Sequence, residues 1–139
     1  MIPPSGRVLG LDWGTSRIGV AICDETQLVA SPLATLRRRT GRRLPMRELI
    51  TIIDREGPVG LVVGLPLDDD GLEGPAGIAA REMGRSVTAQ RPLPLEWIDE
   101  SFTTAETLHS MRETGTRPLR GIDANAAATL LQQWLDGRR

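Results

Sequence analysis

A chain of 139 residues with a single cysteine, Cys23, cannot form an internal disulfide. Its formal net charge of −1 and its pI near 5.8 argue against a protein that coats nucleic acid through an overall positive field. The sequence shows no N-terminal apolar signal core and no apolar run long enough to cross a bilayer. We therefore expect a cytoplasmic protein without membrane contact, folded as one domain over residues 1–139.

The first three predicted strands lie in the N-terminal part of the chain. β-prone residues predict strands over about 7–13 and 17–23, joined as a hairpin because Gly14 and Gly19 relieve crowding in and beside the turn. A third strand over about 28–36 is interrupted at Pro32. Proline cannot donate a ladder hydrogen bond, so this strand is expected at the edge of a sheet.

The middle of the chain alternates between helix and strand. Apolar spacing predicts a helix over about 45–56 and a fully buried strand over about 59–63. The loop over 64–75 is rich in glycine, proline and aspartate, and Pro75 can open the next helix. The predicted apolar face of that helix consists of Ala76, Ala79, Ala80, Met83 and Val87.

The last part of the chain completes an α/β pattern. A fifth strand ends at 99–100, a capping box over 103–106 begins a helix, and a linker over 115–121 leads to a final helix over about 122–135. Three antiparallel strands followed by strand, helix, strand and helix predict a mixed five-stranded sheet. Its last two strands are parallel, and helices cover both faces.

Three acidic residues are expected to meet at one edge of this sheet, since sites in such folds collect at the carboxyl ends of strands. Asp12 ends the first strand, Glu100 ends the fifth, and Asp123 lies in the first turn of the final helix. Taken singly, each has a structural explanation, as a turn residue, a surface strand end and a helix-start acid. Their joint placement instead favours a shared functional site.

Carboxylates that share a pocket repel each other unless a cation lies between them. An oxygen ligand set without cysteine or histidine favours Mg²⁺ or Mn²⁺. Two such ions, about 3.5–4 Å apart, can stabilise the attacking water and the leaving oxygen of a phosphodiester. The predicted chemistry is metal-assisted hydrolysis, with Asp12, Glu100 and Asp123 as catalytic and metal-binding residues.

Several residues could contact a nucleic acid. All 17 basic residues are arginines, whose forked side chains bind phosphate oxygens in pairs. Arg17 could hold a phosphate or pair with a nearby acid, and Trp13 could stack on a base or pack against the turn. A cluster that fits both a solvated loop and phosphate contact consists of Arg37, Arg38, Arg39, Arg42, Arg43 and Arg47.

Four separated segments resemble the YqgF/RuvX family: residues 10–21, the loop over 64–75, residues 99–104, and residues 123–132. The resemblance runs in order through almost the whole chain. Members of that family have an RNase H-like fold and are described as Holliday junction resolvases and as nucleases that mature the 5′ end of pre-16S ribosomal RNA. The resemblance implies that Asp12, Glu100 and Asp123 are the metal-binding catalytic acids.

The resemblance implies a metal-dependent endonuclease that acts on pre-16S ribosomal RNA, with four-way DNA as the alternative substrate. Cutting a junction symmetrically calls for paired active sites in a homodimer, whereas one chain can trim a transcript. The family usually has an arginine directly after the glutamate, but here Ser101 follows Glu100. The loss of this arginine would weaken either a contact to a substrate phosphate or an interaction that supports the site.

Two other classes of protein are alternatives. Residues 12–16 also look like the phosphate loop of actin-like kinases and chaperones, but those proteins need two RNase H-like domains, and 139 residues supply one. A non-catalytic RNA-binding or ribosome-assembly factor that keeps the fold is compatible with the missing arginine. Metal-dependent cleavage distinguishes a nuclease from both.

Overall fold

The computed structural model describes residues 1–14, 16–37, 45–66, 72, 74–99 and 123–138. Within them lie five strands: β1 Val8–Trp13, β2 Arg17–Cys23, β3 Ala30–Arg37, β4 Gly60–Leu65 and β5 Leu95–Asp99. The helices of these residues are α1 Met46–Glu56, α2 Pro75–Gln90 and α3 Ala124–Gly137. Glu100, the predicted capping box over 103–106 and the predicted linker over 115–121 lie outside the described residues.

The strands form one sheet in the order β3-β2-β1-β4-β5. β2 pairs antiparallel with both β1 and β3, whereas β4 pairs parallel with both β1 and β5. This arrangement confirms the predicted mixed sheet. Because β1, β4 and β5 run in the same direction, their carboxyl ends lie at one edge, together with the start of β2 and the end of β3. We call this the carboxyl edge.

Apolar cores lie on both faces of the sheet, as predicted. One core joins the sheet to α1 and α2 through residues that include Leu49, Ile52 and Met83. The other joins it to α3 through Ala127, Leu130, Leu131, Trp134 and Leu135. Side chains alternate along β1, so that Leu9 and Leu11 belong to the first core and Val8 to the second.

β3 begins later than predicted and is not interrupted at its proline. The side chain of Asp24 accepts hydrogen bonds from the amides of Leu28 (3.0 Å) and Val29 (2.9 Å), which therefore belong to the turn before the strand. Pro32 pairs with Ala21 of β2, and the register shifts next to this pair. A β-bulge thus absorbs the irregularity in an edge strand, where proline is tolerated.

Helix boundaries agree with the sequence, but one predicted face is partly wrong. α1 stops at Gly57, which adopts a left-handed conformation (φ 60°) and donates its amide to the carbonyl of Ile53 at 2.9 Å. α2 begins at Pro75, as predicted. Ala76 is exposed and Gly77 is buried, because a glycine without a side chain gives no apolar signal in the sequence.

α3 lies close to β1 because position 10 is a glycine. A Cβ atom added to Gly10 would lie 2.9 Å from the Cβ atom of Leu131. The helix starts at Ala124, slightly later than the predicted 122, and Asp123 caps it. Among the helices that the structure describes, none combines the length and the apolar character of a membrane span.

We expect Leu131→Ala to lower the free energy of unfolding by about 2–5 kcal/mol, because it opens a cavity between α3 and β1. Asn125→Ala, at an exposed position of the same helix, is the control and should change it by less than about 0.5 kcal/mol. Urea unfolding measures both values. Equal losses in the two variants would contradict this packing.

Candidate active site

Asp12 is a buried acidic residue near the end of β1, with only 4% of its surface exposed. It pairs across the sheet with Gly19 of β2, so it belongs to the strand and is not a turn residue. By strand alternation it shares a face with Val8 and Gly10, which contact α3. Its carboxylate therefore lies on the α3 face of the carboxyl edge.

Trp13 lies on the opposite face from Asp12. It is 6% exposed and packs in the core that α1 and α2 cover. The interpretation that Trp13 stacks on a base is therefore wrong, since neither face of a buried ring is open to a nucleotide. Trp13 packs as an apolar residue beside the hairpin turn, which was the alternative.

Asp123 is the N-cap residue of α3 and thus lies one position before the first turn of the helix, whereas the sequence predicted it within that turn. Its Oδ1 atom accepts a hydrogen bond from the amide of Ala126 at 2.9 Å. The N-terminus of a helix stabilises a negative charge because the free amides and the helix dipole point toward it. One carboxylate oxygen of Asp123 is therefore committed to the helix, and Oδ2 is the oxygen that remains for a ligand.

Gly19 brings these two acidic residues to the same place. A Cβ atom at this position would lie 2.0 Å from the carbonyl oxygen of Asp123 and 2.5 Å from its carbonyl carbon. Gly19 is also the cross-strand partner of Asp12, and such partners have Cα atoms about 4.5–5.5 Å apart. Asp12 and Asp123 are therefore both immediate neighbours of one glycine.

The third predicted acid, Glu100, lies outside the described residues. The residue before it, Asp99, ends β5 and pairs with Leu65 at the end of β4. The chain thus reaches the carboxyl edge just before position 100. Within the described ranges, no three histidine, cysteine or acidic side chains form a metal-binding group.

Arg17 and Arg37 are direct partners across β2 and β3 at the carboxyl edge. Each lies two residues beyond the row of Asp12, about 7 Å along the strand and on the same face of the sheet. Arg17 is half-buried and Arg37 is exposed, and no ion pair joins either to an acid of the described chain. Of the other arginines in the predicted cluster, Arg47 is exposed at the start of α1, and four lie outside the described part: Arg38, Arg39, Arg42 and Arg43.

Thr35 is a residue of this region that the sequence did not reveal. It pairs with Gly19, so that Asp12, Gly19 and Thr35 form one row across three strands. Its Oγ1 atom accepts a hydrogen bond from the amide of Ala124 at 2.9 Å. A threonine in an edge strand is common, and the only signal that could have identified Thr35 is its register with Asp12.

The donor set of the described site fits a hard divalent cation. Asp12 and Asp123 supply carboxylate oxygens only, which suit Mg²⁺ or Mn²⁺. Cys23 lies at the far end of β2, where its Sγ atom accepts a hydrogen bond from the amide of Val8 at 3.2 Å. Burial raises the pKa of this thiol, so Cys23 is a core residue and not a nucleophile.

Comparisons with known proteins identify relatives along nearly the whole chain. A family model described as "RuvX: Holliday junction resolvase" matches residues 6–137. A protein of Anaeromyxobacter sp. (strain Fw109-5) named "Putative pre-16S rRNA nuclease" is 43% identical, covering 95% of this chain and 98% of its own. A protein of the same name from Rhodospirillum rubrum is 40% identical, covering 97% and 86%.

Solved structures show the same fold. RuvC of Thermus thermophilus in complex with a Holliday junction substrate is similar with a TM-score of 0.59 and 17% identity, over 95% of this chain and 94% of its own. A second structure, titled "Thermus thermophilus RuvC structure", gives a TM-score of 0.57 and 16% identity, over 95% of each chain. This likeness confirms the predicted RNase H-like fold.

We expect Asp123→Ala to lower the free energy of unfolding by about 0.5–2 kcal/mol, because the cap of α3 is lost. Asp123→Asn keeps a capping oxygen and removes a charge close to Asp12. In metal-free buffer it should therefore be at least as stable as the unmodified protein. Urea unfolding of both variants tests this, and a loss in Asp123→Asn equal to that in Asp123→Ala would contradict the capping role.

Proposed function

The chain belongs to the RuvX family, and from this premise we propose that it is a metal-dependent endonuclease that processes the 5′ end of pre-16S ribosomal RNA. The observation that carries the proposal is the meeting of Asp12 and Asp123 at Gly19, on the carboxyl edge of the sheet. The names of the relatives supply the substrate. The description of the family model favours a second candidate, a resolvase that cuts four-way DNA.

Asp12, Glu100 and Asp123 are the residues that would hold two Mg²⁺ or Mn²⁺ ions. A buried carboxylate beside a second carboxylate is unfavourable without a compensating cation, which supports this assignment. Bound metal supplies stabilisation of the attacking and leaving oxygens of the phosphodiester. The contribution of the chain is to keep the two described carboxylates in one place, since β1 carries Asp12 and the start of α3 carries Asp123.

Arg17 and Arg37 are proposed to bind phosphates of the substrate backbone. Like charges directly opposite each other on neighbouring strands destabilise a sheet, and a phosphate between them would remove that cost. Both lie on the face of Asp12, so a strand held by them passes the acidic residues. Arg38, Arg39, Arg42 and Arg43 follow along the chain and would extend this contact.

We expect Asp12→Asn to abolish metal-dependent cleavage, because it removes a charged ligand while preserving the size of a buried side chain. A precursor ribosomal transcript and a four-way DNA junction, each with Mg²⁺ or Mn²⁺, serve as substrates, and the mass in solution is measured in parallel. Cleavage of the transcript supports the proposed function, and cleavage of the junction alone supports the second candidate.

Asp54→Asn is the control for this experiment. Asp54 lies on α1, on the other face of the sheet, and pairs with Arg91 at 2.7 Å. Its replacement should leave cleavage unchanged. Asp12→Asn protein that still cuts, purified in parallel with the control to exclude contamination, would overturn the assignment of Asp12.

We expect Arg17→Ala and Arg37→Ala each to weaken binding of RNA and to lower the slope of log K against log salt by about one, because one phosphate contact is lost. Arg85→Ala, on α2 of the opposite face, is the matched control and should keep the slope. Fluorescence anisotropy over a salt series measures both. An unchanged slope in the Arg17 and Arg37 variants would show that these residues do not contact phosphate.

A further inference from the structure

The contact between the start of α3 and the sheet indicates a role for two residues that are not acidic. We propose that Gly19 and Thr35, which we call the α3 seat, position Asp123 for metal binding beside Asp12. The inference rests on the proposed function, since it assumes that Asp12 and Asp123 share a metal ion. Neither residue of the α3 seat is a ligand, so both act through Asp123.

Thr35 attaches the first turn of α3 to β3. The first amides of a helix have no partner within the helix, and each needs an acceptor from elsewhere. Asp123 accepts the hydrogen bond of Ala126, and Thr35 accepts that of Ala124 at 2.9 Å. The first bond is local and caps the helix, whereas the second joins residues 89 positions apart in the chain and sets where the helix begins over the sheet.

Gly19 sets how closely α3 approaches. The atoms that a Cβ would meet are the carbonyl oxygen and carbon of Asp123 and, at 3.3 Å, the amide nitrogen of Ala124. All three are backbone atoms, so no side-chain rotation could relieve the clash. Gly19 is therefore needed for the contact with α3, whereas its predicted role was to relieve crowding beside the hairpin turn.

The α3 seat acts on the row of the sheet that carries Asp12. Asp12, Gly19 and Thr35 are consecutive partners across β1, β2 and β3. A shift of the start of α3 away from Thr35 or Gly19 therefore changes the separation of Asp123 from Asp12 directly. Since metal ligands tolerate only small changes in position, such a shift should reduce affinity for the ion before it unfolds the protein.

Separate contacts hold the far end of α3. The Nε2 atom of Gln132 donates a hydrogen bond to the carbonyl of Leu28 at 3.0 Å, and its Oε1 atom accepts one from the amide of Ala30 at 2.8 Å. Arg138 donates to the carbonyl of Ile2 at 2.7 Å. Because these bonds do not involve the α3 seat, loss of the Thr35 hydrogen bond should displace the first turn while the rest of the helix remains docked.

The test uses the full chain and Mn²⁺ alone, with binding followed by electron paramagnetic resonance in the absence of substrate. We expect Thr35→Val to weaken Mn²⁺ binding by roughly 10–100-fold, as is typical when an outer partner of a metal ligand is lost. Thr35→Ser keeps the accepting hydroxyl and should restore affinity close to that of the unmodified protein. Thr129→Val, the same substitution at an exposed position of α3, should leave it unchanged.

A second measurement follows the geometry without metal. In Thr35→Val, hydrogen exchange of the Ala124 amide should accelerate, while exchange of amides near Gln132 should stay the same. Gly19→Ala should weaken Mn²⁺ binding at least as strongly, since the clash displaces the backbone of Asp123 itself. If that variant does not fold, the Thr35 series still decides the result.

The outcomes separate the α3 seat from the proposed function. Mn²⁺ binding that is equal in the unmodified protein and in Thr35→Val would overturn the positioning role and leave the proposed function intact. Failure of Thr35→Ser to restore binding would also overturn the role of the hydroxyl. An unmodified protein that neither binds Mn²⁺ nor cuts nucleic acid would overturn the proposed function and, with it, the inference that rests on it.

Discussion

The first turn of α3 can rest on β2 only because residue 19 has no side chain. The carbonyl group of Asp123 occupies the space where a Cβ atom of residue 19 would be. Within the sheet, Gly19 pairs with Asp12 of β1. The atoms of Asp123 and Ala124 at this contact are backbone atoms. With a side chain at residue 19, no side-chain rotation would therefore let the helix approach the strand this closely. The approach of helix to strand therefore determines the separation of the two acidic residues.

This constraint explains why the fold and the proposed chemistry depend on each other. β1 is buried on both faces, so its only acidic side chain lies in surroundings where a charge needs compensation. The helix N-terminus stabilises the carboxylate of Asp123, whose Oδ1 atom accepts a hydrogen bond from the amide of Ala126. A divalent cation between these two acidic residues would compensate both charges, while Arg17 and Arg37 on the same face would compensate those of a phosphate backbone.

Much of the architecture followed from patterns that are local in the chain. Residue preferences indicated β1, β2 and β4 nearly to their ends. Gly57 and Pro75 marked helix boundaries, because glycine readily adopts the left-handed conformation at the end of α1 and proline suits the first position of α2. The errors have equally local causes. Gly77 is buried, but a glycine does not count as an apolar residue in a helical pattern. Pro32 remains in its strand because a β-bulge and an edge position accommodate it.

Sequence by itself determined the order of the strands and helices that the structure describes, the family of the chain and the identity of its candidate acids. Each of these depends on residue type and on spacing along the chain. Only the tertiary structure decided that Trp13 faces away from Asp12, that Gly19 serves the contact with α3, and that Thr35 holds the start of that helix. These features depend on strand register and on contacts between residues about 90 to 110 positions apart, and a chain pattern carries no information about such contacts until the sheet is assembled.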